Sequence, residues 1–307
     1  MTLKWFDLAF KLQGSVAPIV MPRVLVFMAF ALAISLLHYY EPQLSLKVFG
    51  DLTNNVVFNL VLGLLLVFRT NNAYDRYWEG RKAWGTLVVN IRNLSRLMQI
   101  AIKTSGDEEQ QKKEGAIKFL VAFAIATKRH LRDEAIAQDL DDILAIDKII
   151  KLREAKHAPL ELTLWLGDYL QKQVEGDRID SNSFVAMHSH LNALVEGLTG
   201  CERIIKTPLP ISYCIYLKRL ILIYCLGLPF HLVIDIDWLT AIAVGFVSFI
   251  LLGIEQIGNE IENPFGHDFN DLPIESICEG IAANVEQAIA YHPFDSALRS
   301  NPNQENL

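Results

Sequence analysis

Six carboxylates and one histidine surround a Pro-Phe-Gly turn between residues 255 and 275, in the sequence EQIGNEIENPFGHDFNDLPIE. Carboxylate oxygens grouped on a turn are the ligands that a hard cation such as calcium prefers. The histidine also permits a transition metal such as zinc. The segment lacks the spacing of an EF-hand and of an HExxH zinc site. Metal binding and an ordinary solvated turn therefore both stay open, and the candidate ligands are Glu262, His267, Asp268 and Asp271.

Three apolar side chains, Leu60, Leu64 and Phe68, follow one another at intervals of four residues. On an α-helix this spacing places them on one face, in a stack about 12 Å tall. Around a symmetry axis such a stripe forms stacked hydrophobic rings, and a hydrophobic constriction can gate a pore by dewetting. Ordinary helix packing uses the same spacing more often, so the spacing alone leaves both interpretations open.

Composition and motifs argue against several classes of function. The sequence has no GxSxG motif, no Walker glycine loop and no GxGxxG motif after a strand. Its four cysteines form no CxxC pair, and we interpret its eight scattered histidines as ordinary surface or core residues. The net charge of −7 argues against nucleic acid as a partner, since phosphate binding needs a basic surface. We therefore predict a protein that is not an enzyme.

Four apolar segments stand out, and each alone is a marginal span, since a helix needs about 20 residues to cross a bilayer. They lie at residues 24–37, 56–68, 220–236 and 239–254. Residues 74–205 instead combine apolar and charged positions at helical spacing, without a useful strand-like alternation. The pattern predicts an all-α membrane protein with four transmembrane helices per subunit and a large helical region in water. Four buried helices of a soluble protein are the alternative.

Basic residues flank these segments unequally. Lysine and arginine precede the first segment, follow the second and precede the third. The loop after the first segment holds only Lys47, and the loop between the third and the fourth holds neither residue type. Because basic loops stay on the cytoplasmic side, we predict a multi-pass protein of the cell inner membrane with both termini in the cytoplasm.

Two motifs are distinctive. FRTNNAYDRYWEGRKAWG, at 68–85, follows the second apolar segment, and IENPFGHDFNDLPIE, at 261–275, follows the fourth. Together with CERIIKTPLPISY before the third segment, they make the chain resemble the bestrophin family, specifically its bacterial branch, from residue 5 to about residue 291. The resemblance implies a homopentameric ion channel, almost entirely α-helical, with a single pore along the five-fold axis.

The resemblance also assigns roles along the pore. The hydrophobic neck positions of the family fall on Leu60, Leu64 and Phe68, which are the stripe noted above. The second constriction of the family, at the cytosolic exit, falls near Ile179.

The calcium clasp of animal members corresponds to the acidic run after the NPFG turn. Here His267 and Asn270 interrupt that run, which leaves Asp268 and Asp271 as candidate ligands. We therefore expect no required cofactor, and at most a bound metal ion, calcium or zinc.

The chain divides into four parts on these grounds. An N-terminal segment and transmembrane helices 1 and 2 occupy 1–68, with a pore-lining helix at about 51–68. A cytosolic helical region covers 69–215, and transmembrane helices 3 and 4 cover 216–254. A cytosolic C-terminal helix and tail occupy 255–307.

The sign of the permeant ion depends on charge near the pore. Animal and plant members conduct anions, whereas the bacterial branch is associated with monovalent cations such as sodium. The neck rings are uncharged, and five acidic chains would create a field that favours cations. Asp51, near the outer entrance, would add a negative ring if it faces the axis. We expect a passive, sodium-selective homopentamer in contact with membrane lipid, and a chloride channel of the same architecture is the alternative. A membrane-anchored metal-binding enzyme or interaction protein is the alternative from another class.

Overall fold

The computed structural model describes residues 5–41, 53–136, 138–141 and 143–291. Within these residues every regular element is helical, which confirms the all-α prediction. Asp51, predicted at the outer entrance, lies outside them. The α-helices are α1 (Trp5–Ala9), α2 (Ala17–Tyr40), α3 (Val56–Ala101), α4 (Asp107–Leu131), α5 (Ile146–Glu154), α6 (Ala158–Glu175), α7 (Ser181–Lys206), α8 (Ile211–Ile236), α9 (Thr240–Glu262) and α10 (Ile274–Ile289), and the 3-10 turns are Gln138–Leu140 and Asp237–Leu239.

Three stretches of the described chain are long and apolar enough to cross a membrane, namely Ala17–Tyr40, Val56–Ala101 and Ile211–Glu262. The third contains both α8 and α9, and between them the backbone turns at Asp237, whose φ of 47° lies in the left-handed region. The Ser35 hydroxyl donates a hydrogen bond of 3.3 Å to the Asp237 carbonyl, which ties the end of α2 to this turn. These helices are those of a membrane protein, and the count of four spans stays a prediction.

The first of two compact units comprises Met1–Glu79 and Lys206–Asp271. Because lipid tails are as apolar as its core side chains, close packing rather than removal from water stabilises these helices against one another. Gly245 of α9 shows how close they come, since a Cβ there would lie 2.6 Å from the Met28 sulfur of α2. The buried core side chains are Val20, Val24, Phe27 and Ala31 of α2, Leu62 and Leu66 of α3, Leu217, Leu220, Ile221, Cys225 and Leu228 of α8, and Val244 and Leu252 of α9.

The second unit comprises Gly80–Ile205 and Leu272–Leu307. In this unit α4 packs against both α6 and α10. Gly197 of α7 lets that helix approach α3 closely, because a Cβ at this position would lie 2.6 Å from a Leu87 methyl carbon. The helical spacing predicted for this part of α3 is confirmed by its buried side chains, which are Trp84, Leu87, Ile91, Leu94 and Met98.

The two units divide the chain at other places than the predicted membrane borders. Along the sequence they change after Glu79, Ile205 and Asp271, whereas the borders were predicted after residues 68, 215 and 254. The difference has a physical reason, since α3 and α9 continue unbroken past residues 68 and 254. The predicted borders concern the membrane surface and stay predictions.

Candidate functional site

The first turns of α3 have two different faces. Leu62 and Leu66 are buried in the core of the first unit, with 3% and 4% of their surface exposed. Leu60, Leu64 and Phe68 are 68%, 50% and 50% exposed. Since residues two apart on a helix point about 200° from each other, the predicted neck residues lie on the side of α3 that a single chain leaves uncovered. An apolar face of this kind is available to lipid, to another copy of the chain or to a passage between copies.

The uncovered face becomes polar directly after Phe68. Asn71, Asn72 and Asp75 are all exposed. With 3.6 residues per turn they fall in the same sector of the helix as Leu64 and Phe68. One uninterrupted helix face therefore carries an apolar stack, then two amides and then a carboxylate.

A buried arginine follows Phe68 on the packed side of the helix. Arg69 is 2% exposed, and its Nη2 donates to Asn259 Oδ1 and to Glu262 Oε2, both at 2.7 Å. The other carboxylate oxygen of Glu262 accepts the backbone N–H of Leu209 at 2.9 Å. This guanidinium and this carboxylate thus hold α3 to the end of α9 and to the start of α8.

A second arginine of α3 uses backbone partners in the same place. Arg76 donates from Nε to the Glu262 carbonyl at 3.2 Å and from Nη1 to the Thr207 carbonyl. Arg69 and Arg76 are therefore both directed to α9 and to the residues before α8. The sequence indicated basic residues at this border, but it did not reveal their partners.

The predicted metal ligands around the NPFG turn have other partners. Glu262 is bonded to Arg69, and Asp271 Oδ2 accepts the backbone N–H of Asp268 at 2.7 Å. Gly266 leaves room for this contact, since a Cβ would lie 2.7 Å from that same carboxylate oxygen and displace it. Among the described residues, no three ligand atoms from this set, which includes His267, come within 4.8 Å of one another. Metal binding at this turn gains no support from the geometry and stays a prediction.

Ile179, predicted near the cytosolic exit, is 6% exposed. A side chain that lines a passage must reach solvent, so within a single chain the structure does not place Ile179 as a lining residue. Its exposed neighbour Asp180 accepts the backbone N–H groups of Asn182 and Ser183, both at 3.0 Å, at the start of α7.

The structure brings together a group that sequence reasoning missed. His130, His157 and Glu202 of the second unit offer ligand atoms that all lie within 4.8 Å of one another. These residues come from α4, from the position before α6 and from α7. No short motif links them, so only tertiary packing reveals the group.

An ion pair between the buried Arg132 side chain and the exposed Glu275 carboxylate gives the second unit a pH dependence. The Arg132 guanidinium donates to the Glu275 carboxylate, and this hydrogen bond lowers the pKa of Glu275 from 4.5 to about 2. A carboxyl whose pKa is lowered on folding adds stability above its unfolded pKa and loses it as the pH falls through the folded value. Since the Glu275 side chain is 55% exposed, screening limits this pair to about 1 kcal/mol or less.

We therefore expect Glu275→Gln to lower the melting temperature slightly at neutral pH. The difference from the wild type should shrink as the pH falls from 4.5 toward 2, the interval in which Glu275 protonates. Thermal unfolding in detergent over this range measures it. Glu279→Gln is the control, because Glu279 is an exposed carboxylate of the same helix. Equal effects of both changes would contradict the role of Arg132.

Comparison with known proteins agrees with this architecture. Residues 1–287 match the family described as Bacterial/Fungal Bestrophin protein. A voltage-dependent anion channel-forming protein of Nostoc sp. is 44% identical over 289 residues, which cover 94% of this chain and 93% of the relative. One of the same description from Synechocystis sp. is 43% identical over 290 residues, with coverage of 94% and 93%.

Solved structures of bacterial bestrophin homologs are also similar to this chain. A crystal structure of a bacterial bestrophin homolog from Klebsiella pneumoniae has a TM-score of 0.79 to this chain at 26% identity, and the match covers 89% of this chain and 100% of that one. The resemblance inferred from the FRTNNAYDRYWEGRKAWG and IENPFGHDFNDLPIE motifs is thus confirmed. The relatives of this chain form channels and are not enzymes. With its membrane-length helices and a family match over nearly its whole length, the chain belongs to the bacterial and fungal bestrophin family of ion channels.

Proposed function

We propose that five copies of this chain form a channel in the cell inner membrane, with α3 lining a central neck. The observation that carries the proposal is the uncovered apolar face of α3, where Leu60, Leu64 and Phe68 stand opposite the buried Leu62 and Leu66. The same face continues within the next two turns into two amides and a carboxylate, at Asn71, Asn72 and Asp75. Such a face fits a helix that lines a water-filled passage below an apolar neck.

The neck would control ion passage through water rather than through charge. Rings of leucine and phenylalanine offer an ion no replacement for its hydration shell, and a narrow apolar passage empties of water readily. Conduction then requires the rings to widen or to become wet. The wider, polar part of the passage would begin at Asn71 and Asn72.

The membrane arrangement follows from the helices and the basic residues. We assign the four spans to α2, to the first part of α3, to α8 and to α9. Both termini and the second unit would lie in the cytoplasm, because the lysine and arginine residues cluster on that side of the spans. The apolar surfaces of these helices that the oligomer leaves uncovered would contact lipid.

For the permeant ion we favour an anion such as chloride. The two relatives that are 44% and 43% identical to this chain are both described as voltage-dependent anion channel-forming proteins. An uncharged neck is compatible with a permeant ion of either charge, so the choice between anion and cation rests mainly on the relatives. This replaces sodium, the ion expected from the sequence, as the leading choice.

Sodium is the second candidate, and one feature of α3 favours it. Asp75 is exposed on the face that follows the neck, whereas Arg69 and Arg76 are directed to partners in α9 and before α8. Five such carboxylates below the neck, in a chain of net charge −7, would attract cations.

Current through purified protein in planar bilayers tests the proposal. Under a sodium chloride gradient, an anion channel reverses near the chloride equilibrium potential and a sodium channel reverses at the opposite sign. Asp75→Asn should move the reversal potential toward the chloride value if Asp75 faces the passage. Glu279→Gln removes one exposed charge from α10 and should leave the potential unchanged. Protein that assembles but carries no current under any voltage would refute the channel.

A further inference from the structure

Two histidines and one glutamate converge in the second unit from three different helical regions. His130 lies in the last turn of α4, His157 is the N-cap residue of α6, and Glu202 lies near the end of α7. The Nε2 atoms of His130 and His157 lie 2.7 Å and 2.5 Å from the same oxygen, Oε1 of Glu202. The two imidazole rings are separated by 4.2 Å between centroids. Two imidazole nitrogens and one carboxylate oxygen thus meet in a single small volume.

We propose that this group binds a divalent transition-metal ion of the zinc class. Two imidazole nitrogens and one carboxylate oxygen are a ligand set that Zn²⁺ takes in proteins, with a fourth position left for water. Bonds from Zn²⁺ to such atoms are about 2.0–2.2 Å long. An ion would therefore take the place of the two hydrogen bonds to Glu202, with the proton of each neutral imidazole on Nδ1 and a small retreat of the carboxylate. Calcium and magnesium are disfavoured, because both prefer oxygen ligands.

The surroundings allow an ion to reach the site. The side chains of His130, His157 and Glu202 are 28%, 26% and 15% exposed, so the site is neither sealed nor open on all sides. A cavity of about 460 Å³ adjoins it, lined by His130 and by Lys156 and Ala158 on either side of His157 in the chain. This space admits a hydrated ion and leaves room for a water molecule as the fourth ligand.

The position of His157 links the site to the start of α6. Its Nδ1 accepts the backbone N–H of Leu160 at 3.4 Å, and this contact caps the helix. A neutral imidazole that binds an ion through Nε2 carries its proton on Nδ1. Ion binding therefore removes the cap contact, and the first turn of α6 should exchange its amide hydrogens faster in the bound state.

The ion would also link α4, the start of α6 and α7 through one side chain from each. Because an ion that binds only the folded state stabilises it by mass action, Zn²⁺ should raise the melting temperature. Mutation of each ligand should abolish that increase. The variant His157→Asn is informative, since asparagine is a good N-cap residue and keeps the start of α6 while removing the ligand.

The test uses the full chain in detergent, stripped with EDTA and dialysed. Titration with zinc chloride in a calorimeter should show one ion per chain. His130→Ala, His157→Asn and Glu202→Gln should each weaken binding by about tenfold or more. His188→Ala is the control, because His188 lies on α7 outside the group and its loss should leave binding unchanged. Size-exclusion chromatography shows which variants keep the assembled state.

Two further measurements complete the test. Co²⁺ in place of Zn²⁺ should give the visible absorption of a four-coordinate nitrogen and oxygen site in the wild type and not in Glu202→Gln. The melting temperature should rise with Zn²⁺ but not with Ca²⁺. The proposal is overturned if the wild type shows no saturable Zn²⁺ binding, or if folded Glu202→Gln and His157→Asn bind Zn²⁺ as tightly as the wild type does. An equal rise in melting temperature with Ca²⁺ would overturn the assignment of the site to ions of the zinc class.

Discussion

Replacing Leu60, Leu64 and Phe68 together with alanine is expected to raise single-channel conductance severalfold. Each change shortens a side chain on the uncovered face of α3 without touching the buried face, so the neck widens and holds water more readily. Single-channel recording in planar bilayers measures the effect. The ratio of anion to cation permeability should change little, because no charge is added or removed.

The opposite face of the same helix provides a matched control. Leu62 and Leu66 are of the same residue type and lie in the same turns, but they are buried in the core of the first unit. Leu62→Ala and Leu66→Ala should each lower stability by about 2–5 kcal/mol because they leave cavities. Neither should raise the conductance of the molecules that assemble. If the triple change on the uncovered face leaves conductance unaltered in assembled protein, that face serves packing or lipid contact and the passage lies elsewhere.

A substitution that keeps the size of the side chain separates width from wetting. Asparagine has nearly the shape of leucine but holds water through its amide. Leu64→Asn should therefore increase conductance if dewetting closes the neck, although the width of the ring is almost unchanged. No increase with Leu64→Asn, together with an increase in the alanine variant, would show that width alone limits the current.

The sequence allowed the stripe on α3 to be predicted, but it did not show whether the stripe is buried in the core of the subunit or exposed. Residues 56–68 are apolar nearly all round the helix, and such a helix has no amphipathic pattern that indicates which face is buried. The four-residue spacing of Leu60, Leu64 and Phe68 fitted burial as well as exposure. Packing of Leu62 and Leu66 against α2, α8 and α9 decides the matter, and it depends on residues distant in sequence.

Charged residues show even more clearly what the sequence alone cannot predict. The density of carboxylates at 255–275 directed the metal prediction to the NPFG turn, where the structure pairs those groups with backbone and with Arg69. The group with the geometry of a metal site joins residues separated by 72 and 45 positions along the chain. Composition reports the local density of ligands, whereas coordination requires that their atoms meet in space.

Arg69→Met is expected to lower the stability of the assembled protein by about 3–5 kcal/mol, because it removes the guanidinium that pairs with the largely buried Glu262 carboxylate. Thermal unfolding in detergent and the yield of the oligomer measure the loss. Lys112→Met is the control, since its pair with Glu108 is exposed, with side chains 65% and 80% accessible. Such surface pairs contribute about 0.2–1 kcal/mol. Equal losses of stability in the two variants would show that the Arg69 pair contributes no more than an exposed surface pair.

The double variant Arg69→Met, Glu262→Gln separates the value of the pair from the cost of an unpaired charge. Glu262→Gln alone leaves the buried guanidinium hydrogen-bonded to Asn259 and facing a neutral amide in place of the carboxylate, so it should also be strongly destabilising. Removing both charges removes the uncompensated one, and replacement of buried pairs by uncharged groups is often close to neutral. The double variant should thus lose clearly less stability than the sum of the single variants. Simple additivity would instead indicate that Arg69 acts through its packing against α9, where its side chain lies 3.4 Å from the position of a Cβ on Gly258.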